Sequence, residues 1–121
     1  MAEILLIDDD PNIHQIVGLF LEDVGHHVHS APTGQRGLDC AAVEHPDLIL
    51  LDLSMPGMDG PTTFNALKTN PKTSEIPVMI LTVHSPDEVD QDICTEDCVG
   101  YLQKPVDMKT LQGKVGQALA C

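Results

Sequence analysis

The chain has 121 residues, 42% of them hydrophobic and 21% charged, and 19 acidic residues against 6 Lys and Arg give a formal net charge of −13. This length and apolar content suit one folded domain over 1–121 and exclude a disordered chain, while the negative charge argues against direct binding to nucleic acid. Apolar runs such as 4–7 and 48–51 are four residues long, whereas a membrane span needs roughly 20 apolar residues. No export signal is recognised. We therefore expect a cytoplasmic protein without membrane contact.

Short apolar runs alternate along the chain with longer amphipathic stretches, a pattern typical of βαβ units around a parallel sheet. The pattern predicts five strands, at 3–7, 27–31, 47–52, 76–82 and 99–103. It predicts helices at 11–24, 34–44 and 86–96. It also predicts a helix that begins at the Asp-Gly-Pro segment 59–61 and ends near Thr69, and a last helix from Asp107 onward. Asp10 before Pro11 is typical of a helix start, and Ser85 with Glu88 forms a capping box. We therefore expect an α/β doubly wound fold.

Cysteine and histidine residues raise the question of a zinc-type metal site. The cysteines stand at 40, 94, 98 and 121 without a C-x-x-C pair, which favours free thiols in a reducing compartment. His26, His27 and His29 stand at the second predicted strand, where alternation puts His27 and His29 on one face. We interpret them as strand residues, because a zinc site would need complementary ligands from elsewhere in the chain.

The predicted strands end in polar residues, and the carboxyl ends of the strands form the ligand crevice of a doubly wound sheet. These residues are Asp8-Asp9-Asp10 after the first strand, Asp52 in the third, Thr82 in the fourth and Lys104 after the fifth. Crowded carboxylates repel one another, and oxygen ligands suit Mg²⁺. A carboxylate beside Mg²⁺ can attack phosphorus to form an aspartyl phosphate, while an ammonium group offsets the charge on the phosphoryl oxygens. The pattern therefore predicts Mg²⁺-dependent phosphoryl chemistry at this edge.

The same residues resemble the receiver domains of two-component response regulators, and the resemblance covers essentially the whole chain. It rests on Asp8-Asp9 and on the segments 47–60, 77–82 and 101–105. It implies a flavodoxin-like (βα)5 sandwich with a five-stranded parallel sheet in the order 2-1-3-4-5. It also implies a phosphorelay signalling domain, not an enzyme in the usual sense, that promotes its own phosphorylation and dephosphorylation. The phosphoryl donor would be a histidine kinase or a histidine phosphotransfer protein.

The resemblance assigns the chemistry residue by residue. Asp52 is implied as the phosphoacceptor. Asp8 and Asp9 are implied as Mg²⁺ ligands, together with Asp52 and the backbone carbonyl of Ser54.

The remaining site residues follow from the same resemblance. Thr82 and Lys104 are implied to contact phosphoryl oxygens and complete the catalytic set with the phosphoacceptor. Thr82 and Tyr101 are implied as the switch pair, and the peptide bond before Pro105 is implied to be cis. The downstream protein target would bind the face made by the fourth helix, the fifth strand and the fifth helix. Gly100 replaces the aspartate typical of receivers that dimerise through that face, so we expect a monomer or a weak dimer.

Two other classes of protein remain open at this point. Asp8-Asp9-Asp10 contains the Asp-x-Asp pattern of small phosphohydrolases that use an aspartate nucleophile, which here would be Asp8. An FMN-binding electron carrier of the same fold would need aromatic rings over the flavin, and the chain offers only Phe20, Phe64 and Tyr101. The position of the phosphorylated residue and the absorbance spectrum distinguish the three classes.

Overall fold

The structure, a computed structural model, describes residues 2–52, 60–82, 100–103 and 107–120. Five strands within these residues form one parallel sheet in the order β2-β1-β3-β4-β5. The strands are β1 Glu3–Ile7, β2 His27–Ala31, β3 Leu48–Asp52, β4 Val78–Thr82 and β5 Gly100–Gln103. The doubly wound fold is confirmed, and so is the strand order implied by the resemblance to receiver domains.

The described residues also contain four of the predicted helices. They are α1 Pro11–Glu22, α2 Gly34–Glu44, α3 Gly60–Thr69 and α4 Met108–Ala120. Helix α4 is therefore the last of the five helices that the sequence predicts. The predicted helix at 86–96, with its capping box at Ser85 and Glu88, lies outside the described residues.

Helix α1 ends two residues earlier than predicted, at Glu22 instead of Val24. The chain reverses direction at Gly25, whose φ of +90° lies in the left-handed region that glycine adopts without steric cost. Val24 consequently stays 47% exposed, and the buried position on this turn of the helix belongs to Leu21. The helical spacing of apolar residues therefore continues two residues beyond the end of α1.

Strands β3 and β4 begin later than predicted, at Leu48 and Val78. The backbone N–H of Ile76 donates to the carbonyl of Thr73 at 3.0 Å, inside the turn that precedes β4. Pro77 has no N–H to donate to a neighbouring strand. The apolar run 76–82 is longer than β4 because its first two residues belong to this turn.

Helices cover both faces of the sheet, and each face has its own core. The core on the side of α1 and α4 includes Ile4, Leu6, Val17, Leu21, Leu50, Leu81, Leu111 and Val115. The core on the side of α2 and α3 includes Leu5, Ile7, Ile49, Leu51, Phe64, Leu67 and Ile80. Strands β1 and β3 are almost entirely apolar because both of their faces are covered. No helix in the described ranges has the length and apolar character that crossing a membrane requires.

Candidate functional site

Three aspartates meet at the carboxyl-terminal edge of the sheet. Asp8 follows β1 directly, and Asp52 is the last residue of β3. The two strands are parallel neighbours with Ile7 opposite Leu51, so the next residue of each strand reaches the same edge. Carboxylate oxygens of Asp8, Asp9 and Asp52 lie within 4.8 Å of one another. The structure thus brings together the three carboxylates that the sequence analysis placed at one edge.

The three carboxylates differ in their access to solvent. Asp8 is 0% exposed and Asp52 is 2% exposed, whereas Asp9 is an exposed residue. Ionised carboxylates lose hydration on burial, and neighbouring negative charges disfavour one another's ionised form. A cation reached from the exposed side of Asp9 would relieve both effects. The arrangement is therefore suited to binding a cation.

The backbone of the loop that follows β1 holds Asp8 in place. The N–H of Asp8 donates to the carbonyl of Ala31 at 3.1 Å, which extends the pairing of β1 with β2 by one residue. One carboxylate oxygen of Asp8 accepts a 2.9 Å hydrogen bond from the backbone N–H of Asp10. Asp10 in turn caps α1, because its side chain accepts from the N–H of Asn12 at 2.9 Å. The acidic loop is therefore tied at one end to the sheet and at the other to the helix.

His14, in the first turns of α1, touches this loop and was not singled out in the sequence analysis. Its Nε2 lies 2.6 Å from the backbone carbonyl of Asp8, and because a carbonyl oxygen only accepts, Nε2 donates this hydrogen bond. Nδ1 is buried and has no hydrogen-bond partner among the residues described. His14 lies in α1, and the carbonyl that it contacts follows β1. No sequence motif indicates this contact, so only the fold identifies His14 as a residue that positions Asp8.

Thr82 ends β4 at the same edge of the sheet, because Leu81 pairs with Asp52 in the parallel register. Tyr101 lies in β5, which is the neighbour of β4. The side chains of both lie outside the described part of the chain. Three further predicted site residues are outside the described ranges altogether, namely Ser54, Lys104 and Pro105.

Comparisons with known proteins of similar sequence and fold identify the family. A sequence model of the response regulator receiver domain matches residues 4–116. Protein PilH of Pseudomonas aeruginosa is 36% identical over 120 residues, which cover 99% of each chain. The transcriptional regulator RpaA of Synechocystis sp. is 36% identical over 115 residues, which cover 95% of this chain and 48% of that protein. The structure of the chemotaxis protein CheY4 of Vibrio cholerae matches with a TM-score of 0.89 at 30% identity, covering 98% of both chains.

The chain therefore belongs to the response regulator receiver domain family. It spans the whole length of a relative such as PilH and about half the length of RpaA. Its fold is that of CheY-like receivers, and its class is a signalling domain of two-component systems.

Proposed function

We propose that this receiver is phosphorylated on Asp52 in a Mg²⁺-dependent reaction and passes the signal to a protein partner. The observation that carries the proposal is the meeting of Asp8, Asp9 and Asp52, whose carboxylate oxygens lie within 4.8 Å of one another. A cluster of this kind supplies a nucleophile and metal ligands at one place. Phosphoryl transfer needs both.

The donor set fits Mg²⁺. All three groups offer carboxylate oxygen, the ligand type that this hard cation prefers. Ligands bound at about 2.1 Å to one ion can lie at most about 4.2 Å apart, so the cluster needs only small side-chain movements to hold it. Asp8, Asp9 and Asp52 would bind the ion together with the backbone carbonyl of Ser54. When bound, Mg²⁺ would offset the carboxylate charge and the charge on the phosphoryl oxygens.

Asp52 is the proposed nucleophile. One of its carboxylate oxygens attacks the phosphorus of a phosphohistidine; the new O–P bond forms as the P–N bond breaks, and the imidazole leaves with the electron pair. Thr82 and Lys104 are proposed to donate hydrogen bonds to the phosphoryl oxygens and so to stabilise the transferred charge. Asp8 accepts a hydrogen bond from the N–H of Asp10, which suits a positioned metal ligand better than an attacking group.

The partners are proposed from the family and from charge. The upstream donor is a histidine kinase or a histidine phosphotransfer protein in the cytoplasm, and the chain acts as a monomer or weak dimer. The downstream target binds the face made by the predicted helix 86–96, β5 and α4, with Thr82 and Tyr101 as the switch. Residues 86–98 contain six acidic residues and no Lys or Arg. A target with a basic patch matches this charge, and its association rate should fall as salt rises.

The test is phosphorylation by a small donor, acetyl phosphate, with and without Mg²⁺, followed by mapping of the modified residue. We expect an adduct on Asp52 that needs Mg²⁺ and that is absent from Asp52→Asn. Asp47→Asn is the matched control, because Asp47 is an exposed aspartate just before the same strand, at its opposite end. An adduct on Asp8 would instead support an aspartate-nucleophile phosphohydrolase. An adduct that persists in Asp52→Asn would overturn the proposal.

A further inference from the structure

A second cluster of metal-binding side chains lies at the opposite end of β1 from Asp8. Glu3 opens β1, and the parallel register places it beside His27 at the start of the edge strand β2. His29 stands two residues further along β2, on the same face. One carboxylate oxygen of Glu3, Oε2, lies 2.9 Å from Nδ1 of His27 and 2.8 Å from Nε2 of His29. The two imidazole rings contact each other edge to face, with centroids 4.6 Å apart.

We propose that Glu3, His27 and His29 form a transition-metal site, suited to Zn²⁺ and similar ions that prefer imidazole. One ligand atom from each of the three residues lies within 4.8 Å of the others. Two imidazole nitrogens and one carboxylate oxygen are a known set of three protein ligands for zinc, with a fourth position left to water. The sequence alone favours an interpretation of these histidines as strand residues, because it shows no complementary ligand, and the fold supplies that ligand as Glu3.

The separations between the ligand atoms are close to those that such an ion requires. Zinc binds nitrogen at about 2.0–2.1 Å and oxygen at about 2.0–2.2 Å, so tetrahedral ligands lie about 3.4 Å apart. The observed 2.8 and 2.9 Å must open by roughly half an ångström. The side chains of Glu3 and His27 are 49% and 57% exposed, so they have room to move. Solvent also has access to the open coordination position.

The charge of Glu3 also suits a metal ion. Hydrogen bonds from His29 and, next, from His27 lower the pKa of Glu3 below its usual range, and an ionised carboxylate is one of the ligand types that zinc accepts. A bound ion would take the place of these two hydrogen bonds, with the lone pair of each facing ring nitrogen pointing to the ion.

The strands hold the cluster from two sides. The backbone N–H of Glu3 donates to the side chain of Asp47 at 2.9 Å, and the five register pairs of β1 with β2 align the histidines with it. A bound ion would cross-link the edge strand to β1. This site is independent of the aspartate cluster, which offers oxygen only and lies on the order of 15 Å away along β1.

Isothermal titration of the full chain with Zn²⁺, in saturating Mg²⁺, tests the proposal, and imidazole NMR resonances identify the ligands. We expect one ion per chain, shifts confined to His27 and His29, and an affinity that falls roughly tenfold or more in His27→Gln and in His29→Gln. His45→Asn is the matched control, since it removes an exposed imidazole and keeps a residue that tolerates the φ of +48° at that position. Its affinity should equal that of the parent.

Circular dichroism and the Mg²⁺ response of each variant establish that it is folded, as we expect because His27 is exposed and His29 is only partly buried. No Zn²⁺ binding at millimolar concentration would overturn the proposal. Binding that is unchanged in folded His27→Gln and His29→Gln would overturn it as well, because the ion would then be held by other groups such as the cysteines.

Discussion

Replacing Asp9 by Asn is expected to have two opposite effects on stability, depending on whether Mg²⁺ is present. Without the ion, Asp9 adds a third negative charge beside Asp8 and Asp52 in the native state. The unfolded chain separates Asp52 from the other two, so part of this repulsion acts only on the native state. With the ion, Asp9 is a proposed ligand. We therefore expect Asp9→Asn to stabilise the metal-free protein and to remove its response to Mg²⁺.

The distance in the structure sets the size of the first effect. The carboxylate oxygens lie within 4.8 Å of one another, and two unit charges at that upper limit repel by about 0.9 kcal/mol at the dielectric constant of water and by about 3.5 kcal/mol at an effective value of 20. Asp9 is exposed, so the lower figure applies, about 1 kcal/mol for the charge of Asp52; Asp8 stays next to Asp9 in the unfolded chain and adds little. A gain of about 1 kcal/mol in the free energy of unfolding corresponds to a rise of roughly 4 °C in melting temperature for a chain of this size.

The second effect follows from mass action. An ion that binds only the native state at ten times its Kd stabilises the parent by about 1.4 kcal/mol, or roughly 6 °C. Thermal melts by circular dichroism, at low ionic strength with and without millimolar Mg²⁺, measure both effects. Asp39→Asn is the control, because it removes the same charge from the exposed surface of α2. It should leave the Mg²⁺ response intact and raise the metal-free melting temperature much less.

Two results would refute this reasoning. An Asp9→Asn protein with the same Mg²⁺ response as the parent would show that Asp9 is not a ligand. A metal-free melting temperature that falls instead of rising would show that the three carboxylates do not repel one another as their separation requires.

Further predictions concern packing and helix capping. Gly37→Ala should lower the free energy of unfolding by about 1–3 kcal/mol in urea titrations, because its Cβ would lie 2.6 Å from Cγ1 of the buried Ile7. The same change at Gly113, where the Cβ would meet nothing within 4 Å, should raise it by about 0.5–1 kcal/mol; equal effects at both positions would refute the clash. Asp107→Ala should lower the melting temperature at pH 7, because hydrogen bonds from Thr110 depress the pKa of the Asp107 carboxyl. That stabilisation is complete above the ordinary aspartate pKa and is lost as pH falls through the depressed value, so the gap between parent and variant should close in acid.

The sequence allowed the fold and the aspartate cluster to be predicted because both depend on repeated local patterns. Strands covered on both faces are continuous apolar runs, and an aspartate followed by proline, as at Asp10 and Pro11, is typical of a helix start. Parallel strands end at a common edge, so residues 8 and 52 could be placed together without coordinates. The resemblance to receiver domains supplied the strand order, which local patterns do not contain.

Some boundaries and contacts depended on backbone geometry that a hydrophobic pattern does not report. Val24 continues the helical spacing of α1, yet the left-handed turn at Gly25 leaves it exposed. His14 holds the carbonyl of Asp8, although nothing in its sequence neighbourhood indicates that contact. In both cases the backbone just outside α1 is responsible: the turn after the helix leaves Val24 exposed, and the loop before the helix brings the carbonyl of Asp8 to His14.

The sequence by itself therefore indicated the family, through motifs that resemble those of receiver domains, and the parallel α/β pattern with aspartates at the carboxyl edge, through local periodicity. Only the tertiary structure brought Glu3 to His27 and His29, which are 24 and 26 residues away, and pressed Gly37 against Ile7. These contacts join side chains on different elements. Their existence depends on strand register and helix packing, which are set by the burial of the whole core.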